Sequence, residues 1–269
     1  MPIDHKRING PDESVPYELF ARLAAKDKPR DALKGQELEV DACDGQRKIY
    51  LQTGVITQAK GSAYIEIGDT KVIVSVFDPR EIPNRIDYGL KGEVYCEFKY
   101  APFSCKKRMM HQQNNEEKQS SDIMRKALES TVCLHELPNF QVDVYAMVLE
   151  EDGSALSAAI IAGGVALTLA GVPMYDQITS VTLGVRNGAL IEPPFDDSGK
   201  EPPSCDNGLV VLSKLHSQTQ ICQFYQRGFM SKENVKKCIE VLSKQCDNIV
   251  PIVQKCLVKR IVHDIKGDQ

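Results

Sequence analysis

Between Gln141 and Met174 the chain runs QVDVYAMVLEEDGSALSAAIIAGGVALTLAGVPM, and few folds can accommodate that succession of patterns. Val142, Val144, Ala146 and Val148 alternate with Asp143, Tyr145 and Met147. That period of two predicts a strand with one face more buried than the other. The acidic run Glu150-Glu151-Asp152-Gly153-Ser154 ends the strand in a tight turn, with Asp152 or Ser154 suited to be the N-cap of a helix. From Ala155 to Ala170 the residues are apolar nearly all round, which predicts a helix covered on most sides. Gly163 and Gly164 interrupt it, and since each costs roughly 1 kcal/mol against Ala in a helix interior, they predict another backbone passing close by. A membrane span is the competing reading. The segment is solitary, rich in Ala and Gly rather than Leu and Phe, and closed at Pro173, all of which weigh against it.

The flanking sequence supplies strands first. Arg47 to Ile56 predicts one strand, and Ser62–Ile67 followed by Thr70–Phe77 predicts a hairpin across Gly68-Asp69. Val94, Cys96, Phe98 and Tyr100 form another alternating strand, ended at Pro102. The polar run from Met109 to Gln119 reads as a surface loop, after which Ser120 or Ser121 caps a helix with Ile123, Ala127, Leu128 and Val132 on one side. Ile178–Val185 and Ala189–Ile191 flank Asn187-Gly188, a strong hairpin signal. A loop with four prolines covers residues 192–207, and Gly208–Leu215 and Thr219–Tyr225 add two strands. A last helix from near Ser231 carries the stripe Val235, Ile239, Leu242, Cys246, Ile249 and Val253, with a kink or break expected at Pro251. The order predicts an α+β fold with one compound, mixed β-sheet core and packed helices in a single domain over residues 35–269. Residues 1–34, rich in Pro, Asp, Lys and Arg, read as an extended N-terminal arm.

Composition narrows the chemistry. The formal charge of −4 over 269 residues weighs against a free-standing, high-affinity nucleic-acid binder, though not against a local basic surface. Cys43, Cys96, Cys105, Cys133, Cys205, Cys222, Cys238, Cys246 and Cys256 include no CxxC pair, a scatter that points to reduced thiols. The N-terminal MPIDHKRING has no apolar h-region, so no secretory signal is expected. None of the five histidines stands at metal-ligand spacing from another His or Cys, and there is neither a P-loop nor GxGxxG. His216 with Ser213 or Ser217 and Asp206 lacks a nucleophile elbow, and a surface strand accounts for them better. No metal, cofactor or membrane partner is expected.

Several motifs together carry a resemblance. They are Lys60-Gly61-Ser62-Ala63-Tyr64 with Gly68-Asp69-Thr70-Lys71-Val72, then Ala101-Pro102-Phe103-Ser104, Ala127-Leu128-Glu129, Leu149-Glu150-Glu151-Asp152 and Ala170-Gly171-Val172-Pro173-Met174. Each is weak singly, but in this order and at these intervals the chain resembles the RNase PH-type subunits of the eukaryotic RNA exosome over about residues 40–260. The arm adds Asp4-His5-Lys6-Arg7-Ile8 and Gly10-Pro11-Asp12-Glu13-Ser14, which resemble one subunit in particular. The resemblance implies an RNase PH-like fold and a place in a ring of RNase PH-like subunits. It further implies cap proteins bearing RNA-binding modules, single-stranded RNA as a partner, and a nuclear and nucleolar location that extends to the cytoplasm.

Active members of that family use phosphate to attack the 3′-terminal phosphodiester of RNA, so they must bring guanidinium groups and helix-N-terminal amides to two anions. At the matching positions this chain departs. Leu156 stands where an Arg is expected after the central turn, and Asn115-Glu116, followed by Glu117, stand where a pair of arginines precedes a helix. Glu150, Glu151, Asp152, Glu116 and Glu117 are expected to bring like charge to the site. Of the expected carboxylate pair spaced by six, Glu192 matches the first, but the partner position is Ser198, with Asp196 and Asp197 reading as loop carboxylates. The expectation is therefore a non-catalytic ring subunit, the alternative being an active phosphate-dependent 3′-to-5′ exoribonuclease. Arg80, Arg85, Lys106, Lys107 and Arg108 lie in two loops that, by the resemblance, face the channel of the ring and touch RNA phosphates. A solvated basic loop is the plain alternative for them.

Overall fold

The computed structural model describes residues 47–82, 88–105, 108–186, 189–191, 207–217 and 220–267. The expected arm over 1–34 and nearly all of the proline-rich loop, with Glu192, Asp196, Asp197 and Ser198, lie outside the described residues. β6 (Phe140–Glu150) is the strand on which a six-stranded mixed sheet is built. Val142, Val144, Ala146 and Val148 are all buried, as their alternation predicts. One edge of β6 pairs antiparallel with β3 (Thr70–Val76), which continues through β2 (Gly61–Ile67) to β1 (Ile49–Thr53). The other edge pairs parallel with β5 (Glu93–Tyr100). A parallel neighbour requires a crossover, and α1 (Asn115–Glu129) lies between the two strands in the chain. A two-residue strand that the sequence patterns do not predict, β4 (Arg80–Glu81), pairs with Gln141 and Phe140.

The single compound sheet expected from the sequence is two sheets. The second has four antiparallel strands in the order β10 (Ile221–Phe229), β9 (Asn207–Leu215), β7 (Ile178–Arg186) and β8 (Ala189–Ile191). Between the sheets runs α2 (Ala155–Leu169), touching β2 and β3 on one side, β7 and β9 on another, and α1 besides. Every residue from Ala155 to Leu167 except Leu156 is buried. The all-round apolar pattern thus marks a helix enclosed by two layers. Strand alternation reports which side chains are buried and is silent on which sheet a strand joins.

The two helical glycines make room for side chains rather than for a passing backbone. A Cβ on Gly163 would lie 3.0 Å from Leu128 Cδ1 and 3.2 Å from Met124 Cε, and one on Gly164 would lie 2.7 Å from Ile178 Cγ2. The close backbone approach is made instead by Gly61 of β2, where a Cβ would stand 2.1 Å from the Ala166 carbonyl oxygen and 2.6 Å from the Ala170 nitrogen.

α1 begins earlier than its sequence suggests. Asn114 is its N-cap, accepting the Asn115 N–H at 2.7 Å, while the Glu117 carboxylate accepts the Asn114 N–H at 2.5 Å, so a capping box opens the helix inside the run expected to be a loop. A capping box is itself polar, and polarity alone cannot distinguish it from a loop. Ser121, expected at the cap, is buried within the helix and accepts the Phe98 N–H at 2.9 Å. The last helix, α3 (Lys232–Gly267), passes through Pro251 without ending. Pro251 is on the exposed side, and burial of Ile249, Val250 and Val253 around it opposes the roughly 3 kcal/mol cost of an interior proline. Leu183, Val185, Val210, Leu212, Cys238, Leu242 and Cys246 close a second small core between α3 and the four-stranded sheet. Buried Lys214 reaches out of β9 to Asp247 at 2.9 Å and Ser243 at 3.1 Å, tying that sheet to α3. Among the described residues, no helix is long and apolar enough to cross a membrane.

The glycine contacts make opposite demands. Gly61→Ala forces backbone against backbone and is expected to destabilise by about 3 kcal/mol or more. Gly163→Ala meets only the flexible ends of Leu128 and Met124 and regains up to about 1 kcal/mol of helix propensity, so its net effect is expected to be small. Thermal unfolding of the two variants side by side checks the order.

Candidate nucleic-acid interface

The turn between β6 and α2 is where the resemblance places phosphate. Gly153 adopts a positive φ of 82°, which lets the strand reverse into the helix within a few residues. Ser154 occupies the cap position, yet its side chain makes no capping hydrogen bond to α2. Its hydroxyl instead shares a hydrogen bond with Thr70 Oγ1 at 3.0 Å and accepts one from Arg47 at 3.1 Å. Both terminal nitrogens of Arg47 also donate to the Asp152 carbonyl at 3.1 Å, and one lies 3.5 Å from the Asp152 carboxylate. Thr70 Oγ1 accepts the Asp152 N–H at 3.1 Å. The turn is therefore tied to Arg47 and to Thr70 of β3, and Leu156, where the resemblance leads one to expect an Arg, packs against the main core.

The five carboxylates expected to crowd this region each have structural work. Glu150 pairs with Lys71 at 2.8 Å and holds that ammonium above its ordinary pKa. Asp152 is held by Arg47, and exposed Glu116 pairs with Arg227 at 3.5 Å. Glu117 is buried, accepting the Tyr100 N–H at 2.8 Å besides its capping bond. Burial first, and then the Glu151 carboxylate, push the Tyr100 hydroxyl well above the usual phenol range.

Of the five basic candidates, Arg85, Lys106 and Lys107 lie outside the described residues. Arg108 is exposed, next to the point where the Met109 N–H donates to the Pro102 carbonyl at 3.1 Å. Arg80 is half-exposed on β4, and its Nε lies 2.6 Å from the buried carboxylate of Asp143. Asp143 also accepts from Gln141 Nε2 at 2.6 Å. The alternation of β6 placed Asp143 on the more open face but gave no sign that Arg80 would cover it.

The sequence patterns also left unnoticed an aromatic cluster on the sheet face turned away from α1 and α2. Tyr145 contacts Phe77 edge-on with centroids 5.6 Å apart and Tyr95 at 6.2 Å, and all three rings remain partly or largely exposed. Lys99 stands beside Met147 on the same face. The signal was present in Tyr95 of β5 and in Tyr145 and Met147 of β6, apolar or aromatic where a solvated face calls for polar residues. Elsewhere, Ser213 donates to Ser180 at 3.0 Å inside the second sheet, and His216 lies 3.8 Å from an Asp247 already held by Lys214, so no triad forms around them among the described residues, outside which Asp206 lies. Among the described residues, no group of three or more His, Cys, Asp and Glu could hold a metal ion.

Comparison with known proteins matches residues 45–173 to domain 1 of the 3′ exoribonuclease family, RNase PH. The mouse protein Exosome complex component MTR3 is 32% identical over 96% of this chain and 96% of its own length. Exosome complex component RRP41-like of Arabidopsis thaliana is 33% identical over 83% of this chain and 87% of its own. The crystal structure of rice Rrp46 superposes with a TM-score of 0.65 at 22% identity, covering 78% of this chain and 94% of that one, and so shares its fold. The motifs agree with the 32% identity that extends over 96% of this chain and of the mouse protein: the chain belongs to the RNase PH-like components of the RNA exosome.

Proposed function

We propose that this chain is a non-catalytic, structural subunit of the RNA exosome ring. It pairs with other RNase PH-like subunits, helps to carry cap proteins with RNA-binding modules, and guides single-stranded RNA that is processed or degraded from its 3′ end. The relatives that match it over nearly their full length are named as exosome components, and a location in the nucleus, nucleolus and cytoplasm is proposed with that membership. The observation that carries the non-catalytic reading is the closed turn at the start of α2. There Ser154 bonds to Arg47 and to Thr70, both of which bond to Asp152, while Leu156 offers no guanidinium to an incoming phosphate. A phosphorolytic site needs those donors aimed outward at two anions.

Purified chain incubated with single-stranded RNA, phosphate and magnesium is accordingly expected to release no nucleoside diphosphate. Release above a no-protein control, abolished by omitting phosphate, would overturn the reading.

Arg80, Arg85, Lys106, Lys107 and Arg108 are proposed to contact RNA phosphates in the assembled particle. Arg80 is already neutralised by Asp143 and contributes donors more than net charge. The other four act by releasing condensed counterions, which for single strands changes the slope of log affinity against log salt by about 0.7 per contact. Replacing Lys106, Lys107 and Arg108 with Ala in reconstituted particles is expected to flatten that slope by at most about 2, with no dependence on base sequence. An unchanged slope and affinity would identify a solvated loop instead.

A further inference from the structure

The C-terminal half of α3 presents an apolar face that nothing among the described residues covers. Val258, Ile261, Val262 and Ile265 recur at three- and four-residue spacings and are 58%, 56%, 43% and 60% exposed. Their neighbours on the helix turn inward: Cys256 Sγ lies 3.5 Å from the Leu51 carbonyl, Leu257 packs on the main core, and Arg260 lies against Gly54. Exposed Lys255 and Lys259 accompany the stripe. We infer that this face is covered by the N-terminal segment of the same chain, residues Asp12–Leu23.

Size, chemistry and reach favour that occupant. Four half-exposed aliphatic side chains make a patch on the order of a few hundred Å², short of the roughly 1,000 Å² that a free-standing interface needs. A tethered segment does not need that area, because the tether holds it at an effective concentration of about millimolar. Within the chain preceding Arg47, Val15, Leu19, Phe20 and Leu23 recur three or four positions apart, and Asp12, Glu13 and Glu18 accompany them against one basic residue, Arg22. Those acidic residues complement Lys255 and Lys259, so an apolar stripe with acidic company meets an apolar stripe with basic company. The chain between Leu23 and Arg47 reaches up to roughly 80 Å when extended. The strand separating Arg47 from the Gly54 contact with α3 has only five residues, roughly 17 Å. The inference is independent of any RNA contact.

Amide hydrogen exchange on the full-length chain tests it, with Leu19→Asp/Leu23→Asp as the variant. Loss of docking is expected to speed exchange over residues 255–266 by about tenfold or more while leaving β2, β3 and β6 unchanged. Ile261→Asp, at an exposed position that leaves the core intact, is expected to give the reciprocal loss of protection over residues 12–23. With p-benzoylphenylalanine replacing Ile261, a mixture of isotopically light and heavy chains should yield crosslinks to residues 12–23 that join light only to light and heavy only to heavy. Unchanged exchange in both variants would overturn the inference. Crosslinks between light and heavy chains would overturn it in favour of a second copy, and crosslinks to another protein in favour of that partner.

Discussion

The enclosure of α2 between two sheets is the constraint on which the rest of this structure depends. An α-helix buried on all sides has no polar face, so its neighbours must supply close, complementary surfaces at every turn. β2 does so by placing Gly61 directly against the backbone of α2 near Ala166 and Ala170, an approach that any side chain would block. α1 and the start of β7 do so by filling the spaces left at Gly163 and Gly164. The two sheets therefore cannot shift independently, and α3 completes the arrangement by closing the second sheet through Lys214, Ser243 and Asp247 while reaching the first through Cys256 and Leu51.

The same helix fixes the chemistry of the turn before it. Its N-terminus carries unsatisfied amides and partial positive charge, the arrangement that anion sites exploit. Here the turn that precedes those amides is tied to the protein's own groups, while Ser154 caps none of them. A cation, Arg47, lies over it and bonds to the Asp152 carbonyl, and the hydroxyls of Thr70 and Ser154 bond to each other. The nearby carboxylates are engaged in ion pairs and caps that hold β3, β5, α1 and β6 together. Side chains of the kinds that would serve a reaction are structural here, which is the physical content of the proposal that this fold serves assembly rather than catalysis.

Much of this was legible in the sequence because it rests on local periodicity. The alternation of Val142, Val144, Ala146 and Val148 located β6, the unbroken apolar run located α2, and Gly68 turned the first hairpin at a φ of 61°. Asn187-Gly188 foretold the antiparallel pairing of β7 and β8. What stayed hidden depends on contacts between distant residues. The capping box of Asn114 and Glu117 has the composition of a loop, and the burial of Asp143 depends on Arg80, which lies 63 positions earlier in the chain. Gly61 stands just before the strand expected from Ser62 to Ile67, where nothing local marks the backbone it meets, and Pro251 resembled a helix end until packing on both sides of it was visible. The division into two sheets depends on where α2 lies, and no single strand encodes it. The departures proposed at Leu156 and Asn115-Glu116 rest on resemblance, since composition gives a leucine or a glutamate no catalytic meaning.

The central claim is that this chain works as part of a ring. The most direct measurement is the native mass of the complex that copurifies with the tagged chain, determined by native mass spectrometry with its components identified. The account predicts a multi-subunit particle containing several different RNase PH-like chains together with cap proteins. Recovery of the chain only at its own mass, or only as copies of itself, would contradict it.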